Sequence, residues 1–164
     1  MKKALFLLLL LWFFANYSYG QQESSTLNYS TYCNSRFGYC VGYPEGILYP
    51  QPESDNSDGT AFKNKSGQNI LTVYGVSDGV GKSLSTLFKE DISEFKSTNK
   101  TLTYKRLGKS FFVLSGYNKS KIFYQKTILR GGVTANAVMV YDRKDKALYD
   151  QVSEQVNRSL KYSK

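Results

Sequence analysis

Four runs of alternating apolar and polar residues follow one another in the second half of the chain, separated by short turn-forming breaks. Alternation with a period of two is typical of strands that turn one face toward a core. We place the strands at 101–107, 110–117, 121–129 and 133–141. The last break, Arg130-Gly131-Gly132, is a strong hairpin signal. Strands joined by such short turns pair antiparallel, so the sequence predicts a long C-terminal meander.

Two helical patterns flank this meander. The first pattern, with Ser83 as its N-cap, consists of Leu84, Leu87, Phe88, Ile92 and Phe95. The second spans about 144–160 and repeats an apolar residue every four positions, at Leu148, Val152, Val156 and Leu160. Shorter strand-like runs precede the first helix, at 37–43, 60–63 and 69–76. The predicted fold class is therefore α+β, an antiparallel β-sheet with a long C-terminal meander, flanked by two helices.

The first 20 residues have the three zones of a secretory signal peptide. Two lysines are followed by an uninterrupted apolar run from Ala4 to Ala15, and Ser18 and Gly20 then supply the small residues that a signal peptidase needs. We predict cleavage between Gly20 and Gln21. The apolar run is shorter than the roughly 20 residues that span a bilayer. The mature chain is therefore expected to be exported, periplasmic or secreted, without a transmembrane segment.

The mature chain is predicted to comprise a short lead-in and one domain. Residues 21–33 are polar and rich in Ser and Thr, which indicates a flexible segment. Residues 34–164 have the length of a single domain. Cys33 and Cys40 are the two cysteines of the chain, and an even count in an exported protein favours a disulfide. Turn formers lie between them, so a tight hairpin is expected to place the two opposite each other.

The charge of the chain is uneven. Residues 21–60 carry one Arg and five acidic residues, whereas residues 61–164 carry 19 basic and eight acidic residues. Such asymmetry predicts an anionic partner, either an acidic protein face or an anionic envelope surface. The plainer interpretation is a solubilising surface. Nucleic acid is not an expected partner of an exported chain.

Basic residues near the turns of the meander form the candidate site. Successive hairpin turns alternate between the two ends of a sheet, so turns one and three share an end. The residues beside those two turns form a candidate partner- or anion-binding patch, namely Lys105, Arg106, Lys109 and Arg130. Lys119 and Lys121 are expected at the opposite end. The plainer interpretation is a set of solvated turn residues.

Catalytic and cofactor sites are not predicted. The chain has no histidine, which excludes Ser-His-Asp and Cys-His sites and leaves too few ligands for zinc. The segment 79–83 (GVGKS) resembles a phosphate loop, but the first glycine of such a loop falls on Val76. A Ser-Lys pair or two carboxylates remain formally open because both residue types are common here. We expect no cofactor and no catalytic residue.

The segment 34–44 (NSRFGYCVGYP) resembles the opening strand of the PsbP-like fold superfamily, in which an Asn-x-x-Tyr/Phe-Gly-Phe/Tyr run leads into Tyr-Pro. The strands around 112–116 and 123–127 and the C-terminal helix are also similar. The resemblance covers roughly residues 34–160 and implies an α/β/α sandwich. The superfamily includes PsbP and DcrB-like exported proteins, mostly binding and assembly proteins without a shared active site. It therefore implies that this chain is not an enzyme.

These observations favour a non-catalytic binding or adaptor domain that recognises a protein partner through a basic surface. A domain that binds envelope lipid or polysaccharide directly is the alternative, and the tyrosines, 14 in the whole chain, would offer aromatic faces to sugars. An uncharacterised hydrolase is the third interpretation.

Overall fold

A computed structural model describes residues 27–163 of the chain. The strands in chain order are β1 (Tyr29–Asn34), β2 (Tyr39–Pro44), β3 (Tyr49–Pro50), β4 (Gly59–Lys63), β5 (Asn69–Val76), β6 (Thr101–Leu107), β7 (Phe111–Asn118), β8 (Lys121–Arg130), β9 (Val133–Asp142) and β10 (Lys161–Tyr162). The helices are α1 (Leu84–Ser97), a 3-10 turn (Arg143–Asp145) and α2 (Lys146–Ser159). The predicted signal peptide and its cleavage point lie outside the described residues.

The strands form two antiparallel sheets. The larger has seven strands in the order β3-β4-β5-β9-β8-β7-β6, and the smaller has the order β1-β2-β10. Strands β6 to β9 pair consecutively and antiparallel, as the predicted meander requires. Helix α1 packs against β6 and β7, whereas α2 packs against β2, β8 and β9. The α+β fold class with an antiparallel sheet and two flanking helices is confirmed.

Helix α1 covers one face of the seven-stranded sheet, which we call the α1 face. Its N-cap is Ser83, as predicted, and the Ser83 side chain accepts a hydrogen bond from the backbone N–H of Thr86. Leu87 and Phe95 are buried against the strands. The core beneath α1 is completed by Phe112, Leu114 and Phe123.

Helix α2 and the small sheet cover the other face, which we call the α2 face. The prediction that Leu148 begins the buried stripe of α2 is wrong, because Leu148 is 41% exposed and Tyr149 is buried instead. Four residues advance a helix by about 400°, so a strict four-residue spacing drifts by about 40° at each step. Val152 and Val156 face the core. One turn before them, this drift directs Leu148 away from the core, and Tyr149 takes the buried position.

The small sheet was predicted only in part, as the hairpin that places Cys33 opposite Cys40. Residues 29–33, part of the segment expected to be a flexible lead-in, belong to strand β1, which pairs with β2. Cys33 and Cys40 lie directly opposite each other in this pair and form a disulfide. The apolar face of β1 is short and interrupted by polar residues, so its composition resembles that of a loop. Tertiary pairing and the disulfide outweigh that local preference.

The two edges of the seven-stranded sheet differ. Strand β3 has only two residues, Tyr49 and Pro50, and Pro52 follows closely. Proline cannot donate a hydrogen bond to a neighbouring strand, so this edge is protected from pairing. Strand β6 at the other edge has seven residues, and all of them except Leu102 are exposed. The β6 edge is therefore the longer and more accessible one.

Neither α-helix within residues 27–163 is long and apolar enough to cross a membrane.

Candidate functional site

Three of the four residues of the predicted basic patch lie at one end of the seven-stranded sheet. Lys109 lies in the turn after β6, and Arg130 is the last residue of β8. The backbone N–H of Leu129 donates to the carbonyl of Ser110 at 3.3 Å, which holds the two chain segments together. Arg106 lies one residue before the end of β6. The alternation of hairpin turns therefore brings these residues to a common end of the sheet.

Lys105 lies on the other face. It pairs with Leu114 in the β6–β7 register, and Leu114 belongs to the core beneath α1. Arg106 pairs with Val113, one position further along β7. Neighbouring residues of a strand point to opposite faces. Lys105 is thus on the α1 face and separated from Arg106, which the prediction from turn positions alone overlooked.

The ring of Phe111 is the centre of the site. The Arg106 guanidinium carbon lies 5.5 Å from the ring centroid, and the Lys126 Nζ lies 5.4 Å from it. Arg106, Val113 and Lys126 are cross-strand neighbours on β6, β7 and β8, so the sheet register fixes the spacing of the two cations. A cation near an aromatic ring is stabilised by about 0.5–2 kcal/mol. The ring therefore holds two positive charges close together.

Lys126 also contacts the C-terminal end of α2. Its Nζ donates to the carbonyl of Asn157 at 2.5 Å and to that of Leu160 at 3.3 Å. Carbonyl groups at a helix C-terminus carry partial negative charge, which favours a cation there. Burial nevertheless lowers the pKa of Lys126. The helix end offsets only part of the cost of removing this ammonium group from water.

Arg130 packs on Tyr162 of β10. The guanidinium carbon lies 4.2 Å from the ring centroid, and Nη1 donates to the carbonyl of Ser163 at 3.1 Å. The Tyr162 hydroxyl donates to the carbonyls of Ile128 and Val133, which fixes the ring against the sheet. Burial raises the pKa of Tyr162. Arg130 is therefore held in place by an anchored aromatic ring.

These residues surround a cavity of about 390 Å³ between the end of β8 and the end of α2. We call the cavity and its rim the basic cleft, formed by Arg106, Phe111, Lys126, Arg130, Lys161 and Tyr162, together with Lys109, which precedes the lining residue Ser110 in the chain. The ion pairs within residues 27–163 join Lys82 to Glu90, Lys121 to Asp142, Lys146 to Asp150, and Arg158 to Glu154. Within that part of the chain, none of the five cations of the basic cleft forms an ion pair with an Asp or Glu.

Sequence reasoning missed Lys126, Lys161 and Tyr162 as members of this site. A signal for Lys126 was present, because it lies in phase with the apolar residues Tyr124 and Ile128 on the α2 face of β8. A lysine at an apolar position of a strand is unusual and indicates a special environment. Lys161 and Tyr162 had no comparable signal, since β10 has only two residues.

The charged side chains of the basic cleft are hydrogen-bond donors. Ser110 lines the cavity, but Lys126 donates to backbone carbonyls, and no hydrogen bond joins the two side chains within residues 27–163. No group of three His, Cys, Asp or Glu side chains in the same residues is arranged to hold a metal ion. The guanidinium and ammonium groups offer donors to carboxylate or phosphate oxygens.

Comparison with known proteins gives one informative result. No family model and no curated protein matches the chain. Among solved structures, the chain is similar to the solution structure of cyanobacterial PsbP (CyanoP) from Synechocystis sp. PCC 6803, with a TM-score of 0.60. The match covers 85% of this chain and 95% of that chain. The chain has a PsbP-like fold.

The PsbP-like fold agrees with the resemblance seen in residues 34–44 and confirms it at the level of architecture. Sequence identity between the two chains is 13%. At that identity the PsbP-like fold carries no residue roles from one protein to the other. The function of the site has to be argued from its own contacts and charges.

Proposed function

We propose that this chain is an exported, non-catalytic binding domain that holds an acidic, extended segment of a protein partner in its basic cleft. One observation carries the proposal: five cations lie in the basic cleft or beside it, and none of them forms an ion pair with an Asp or Glu within residues 27–163. Like charges held this close repel one another. Carboxylates of a partner would relieve that repulsion and steer the encounter.

Lys126 supports this proposal most strongly. Its ammonium group is half-buried, and its hydrogen bonds go to two backbone carbonyls and not to a carboxylate. A desolvated charge without an opposite charge is costly for the folded protein. A partner carboxylate beside Lys126 would supply that opposite charge and restore its lowered pKa.

The shape of the site favours a protein segment as the occupant. The cavity is concave and has an aromatic floor, whereas proteins that lie on membranes present an amphipathic helix or a polybasic segment to the lipid. Arg106 lies on β6, the terminal strand of the sheet. An extended segment is able to pair with this edge through main-chain hydrogen bonds while its side chains reach Arg106 and Phe111.

The side chains of the cleft support a non-catalytic role. Within residues 27–163, Ser110 is the serine that lines the cavity, and Lys126 donates to carbonyls at the end of α2 rather than to that hydroxyl. Nucleophilic catalysis needs a base within hydrogen-bond reach of the nucleophile. We therefore assign the cleft to binding.

The proposal is tested by affinity capture from the envelope of the host with the purified protein as bait, followed by mass spectrometry. We expect one protein with an acidic segment to be recovered with wild type at about 0.05 M salt and lost at about 1 M salt, where the Debye length falls to about 3 Å. The double variant Arg106→Glu, Arg130→Glu should not recover it, because two attractive charges become repulsive.

A matched control separates local recognition from net charge. Lys65→Glu combined with Lys144→Glu changes the net charge equally, and both lysines are exposed at the opposite end of the sheet. This variant should still recover the partner. Equal loss with both variants would contradict a specific site. If the wild type recovers only anionic lipid or polysaccharide and the Arg106→Glu, Arg130→Glu variant does not, the proposed protein partner is contradicted. The ligand would then be an envelope surface.

A further inference from the structure

A second cavity, of about 540 Å³, lies on the α1 face of the sheet, on the opposite side from the basic cleft. Its floor comes from β5, β8 and β9, one wall from α1, and one end from the β7–β8 turn. Pockets that bury small ligands have volumes of this order and combine apolar walls with a few polar groups. We call this space the α1-face cavity. The sequence patterns gave no indication of it.

The end of the α1-face cavity near the middle of β8 is acidic. Asp91 of α1 lines it, and Asp91 Oδ2 accepts a hydrogen bond from Gln125 Nε2 at 2.7 Å. Gln125 is buried, and its Nε2 also donates to the Thr127 hydroxyl at 3.1 Å. Glu94 lies on the same wall, one turn further along α1. Two carboxylates of one helix therefore face this part of the cavity, and one of them is fixed by a buried amide.

The middle of the cavity is apolar. The rings of Phe95 and Phe123 stack with their centroids 4.7 Å apart. Val138 and Val140 of β9 lie on the floor, and Val140 is 37% exposed. An exposed valine beside two stacked rings offers an apolar surface to a ligand. The two ends of the cavity are thus separated by a region suited to apolar side chains.

The other end of the cavity is basic. Lys100 Nζ lies 4.5 Å from the Phe95 ring centroid and 5.7 Å from that of Phe123. Lys119 lies in the β7–β8 turn, and Lys121 follows it with an ion pair to Asp142 at 3.0 Å. Lys100 and Lys119 form no ion pair within residues 27–163. These two lysines are available to an anionic group of a ligand.

The separation of the two ends follows from strand geometry. Lys121, Phe123 and Gln125 lie on one face of β8, at every second residue, and all three line the cavity. A strand rises by about 3.3 Å per residue, so Gln125 and Lys121 are about 13 Å apart. An extended peptide covers about the same distance with three or four residues.

We propose that the α1-face cavity binds a free peptide of three or four residues, with its amino group at Asp91 and Glu94 and its carboxylate at Lys100 and Lys119. The peptide lies along β8, and an apolar side chain in its middle packs on Phe123 and Val140. Both charged ends of the ligand meet the opposite charge, which neither a monoamine nor a simple anion achieves. The assignment is independent of the partner proposed for the basic cleft.

Isothermal titration calorimetry of the purified protein with alanyl-leucyl-alanine tests the proposal at about pH 7, where the Asp91 carboxyl is mostly ionised and the amino group of the peptide is mostly protonated. We expect saturable binding of the free tripeptide. The N-acetylated peptide and the C-terminal amide should each bind at least about tenfold more weakly, because each lacks one charge. Absence of saturable heat with the free tripeptide, or equal affinity for the blocked forms, would overturn the proposal.

Two substitutions assign the ends of the ligand. Asp91→Asn keeps an acceptor for Gln125, so the fold is expected to persist while the charge is lost. It should weaken the free tripeptide about tenfold and leave the N-acetylated form unchanged. Lys119→Asn suits the left-handed backbone at this position (φ 54°) and should affect the free peptide but not the amide. Equal weakening of free and blocked peptides by either variant would refute the assigned orientation.

Discussion

The two faces of the seven-stranded sheet are formed by the same strands and differ in how they are covered. Helix α2 and the small sheet cover the α2 face over a continuous apolar core that includes Phe62, Met139 and Val152. The α1 face is covered by one helix over a smaller core around Phe112. Because the α2 face is fully covered, its charged residues lie at the edge of the covered area, and the basic cleft is at that edge. A partly covered face leaves an open cavity beside its helix.

The α1 face also contains a series of buried polar side chains that are hydrogen-bonded to one another. From Gln125 the hydrogen bonds run to Thr127, then to Asn136 Oδ1 at 2.7 Å, and from Asn136 Nδ2 to Thr134 at 3.3 Å. The Thr134 hydroxyl donates to Asp78 at 2.8 Å. Buried polar groups are stable only when they are hydrogen-bonded. This chain fixes the side chains at the edge of the α1-face cavity.

The largest effects are expected from cavities in the two cores. Phe62 on the α2 face and Phe112 on the α1 face are both fully buried, so each Phe→Ala substitution should lower the free energy of unfolding by about 3–5 kcal/mol. Chemical denaturation followed by circular dichroism measures this. We expect single transitions in both variants because the same strands carry both faces.

The control is Leu148→Ala, at an exposed position, which should change stability little. A two-step transition for Phe112→Ala would mean that the α1 face unfolds separately.

The disulfide also distinguishes the two faces of the sheet, because it joins two strands of the small sheet that covers the α2 face. Replacing Cys33 and Cys40 by Ser should lower the free energy of unfolding by about 2–3 kcal/mol, from the entropy of closing a short loop. Reductant should destabilise the wild type by a similar amount and leave the double variant unchanged. Hydrogen exchange should increase first in β1 and β2 and not in α1. Insensitivity of the wild type to reductant would show that the bond contributes nothing.

The polar chain of the α1 face gives a smaller effect. Thr127→Val keeps the shape of the side chain but removes the hydroxyl that joins Gln125 to Asn136. Leaving these buried groups unsatisfied should cost about 1–3 kcal/mol in urea unfolding. Ile128→Val, one residue further and on the α2 face, should cost about 0.5–1.5 kcal/mol. A Thr127→Val variant as stable as the wild type would show that these buried hydrogen bonds do not stabilise the fold.

The pH dependence of stability should reveal Asp91. Burial raises its pKa from 3.8 to about 6, the hydrogen bond from Gln125 opposes this, and Glu94, Asp78 and Glu90 add repulsion. The folded state therefore favours the protonated form. Its contribution to stability is present below about pH 4 and is lost as the pH rises through about 6.

Unfolding of wild type and Asp91→Asn between about pH 4 and 7 tests this directly. The wild type should lose stability relative to the variant across that window, and the other titrating groups nearby, including Tyr74 and the Lys82–Glu90 pair, are common to both proteins. If the free energies of unfolding of the two proteins change in parallel with pH, the pKa of Asp91 is not raised in the folded state.

Much of the fold was predictable because its signals are local. The period-two runs gave β6 to β9 to within about one residue, and Ser83 marked the start of α1. The small sheet was predicted only as the hairpin of Cys33 and Cys40, because β1 is polar in composition and β10 has two residues that pair with the distant β2. Three of the seven residues of the basic cleft follow from turn positions, namely Arg106, Lys109 and Arg130. The remainder depends on which face a residue occupies, and the sheet register determines that.

Chemical-shift mapping with a pentaglutamate peptide tests the central claim, that the basic cleft is the binding surface, most directly. Amide shifts in the purified, isotope-labelled protein should move saturably around Arg106, Phe111, Lys126 and Arg130, and the movements should vanish in the Arg106→Glu, Arg130→Glu variant. Shifts spread evenly over all exposed lysines, or centred on the far end of the sheet near Lys65, would contradict the account.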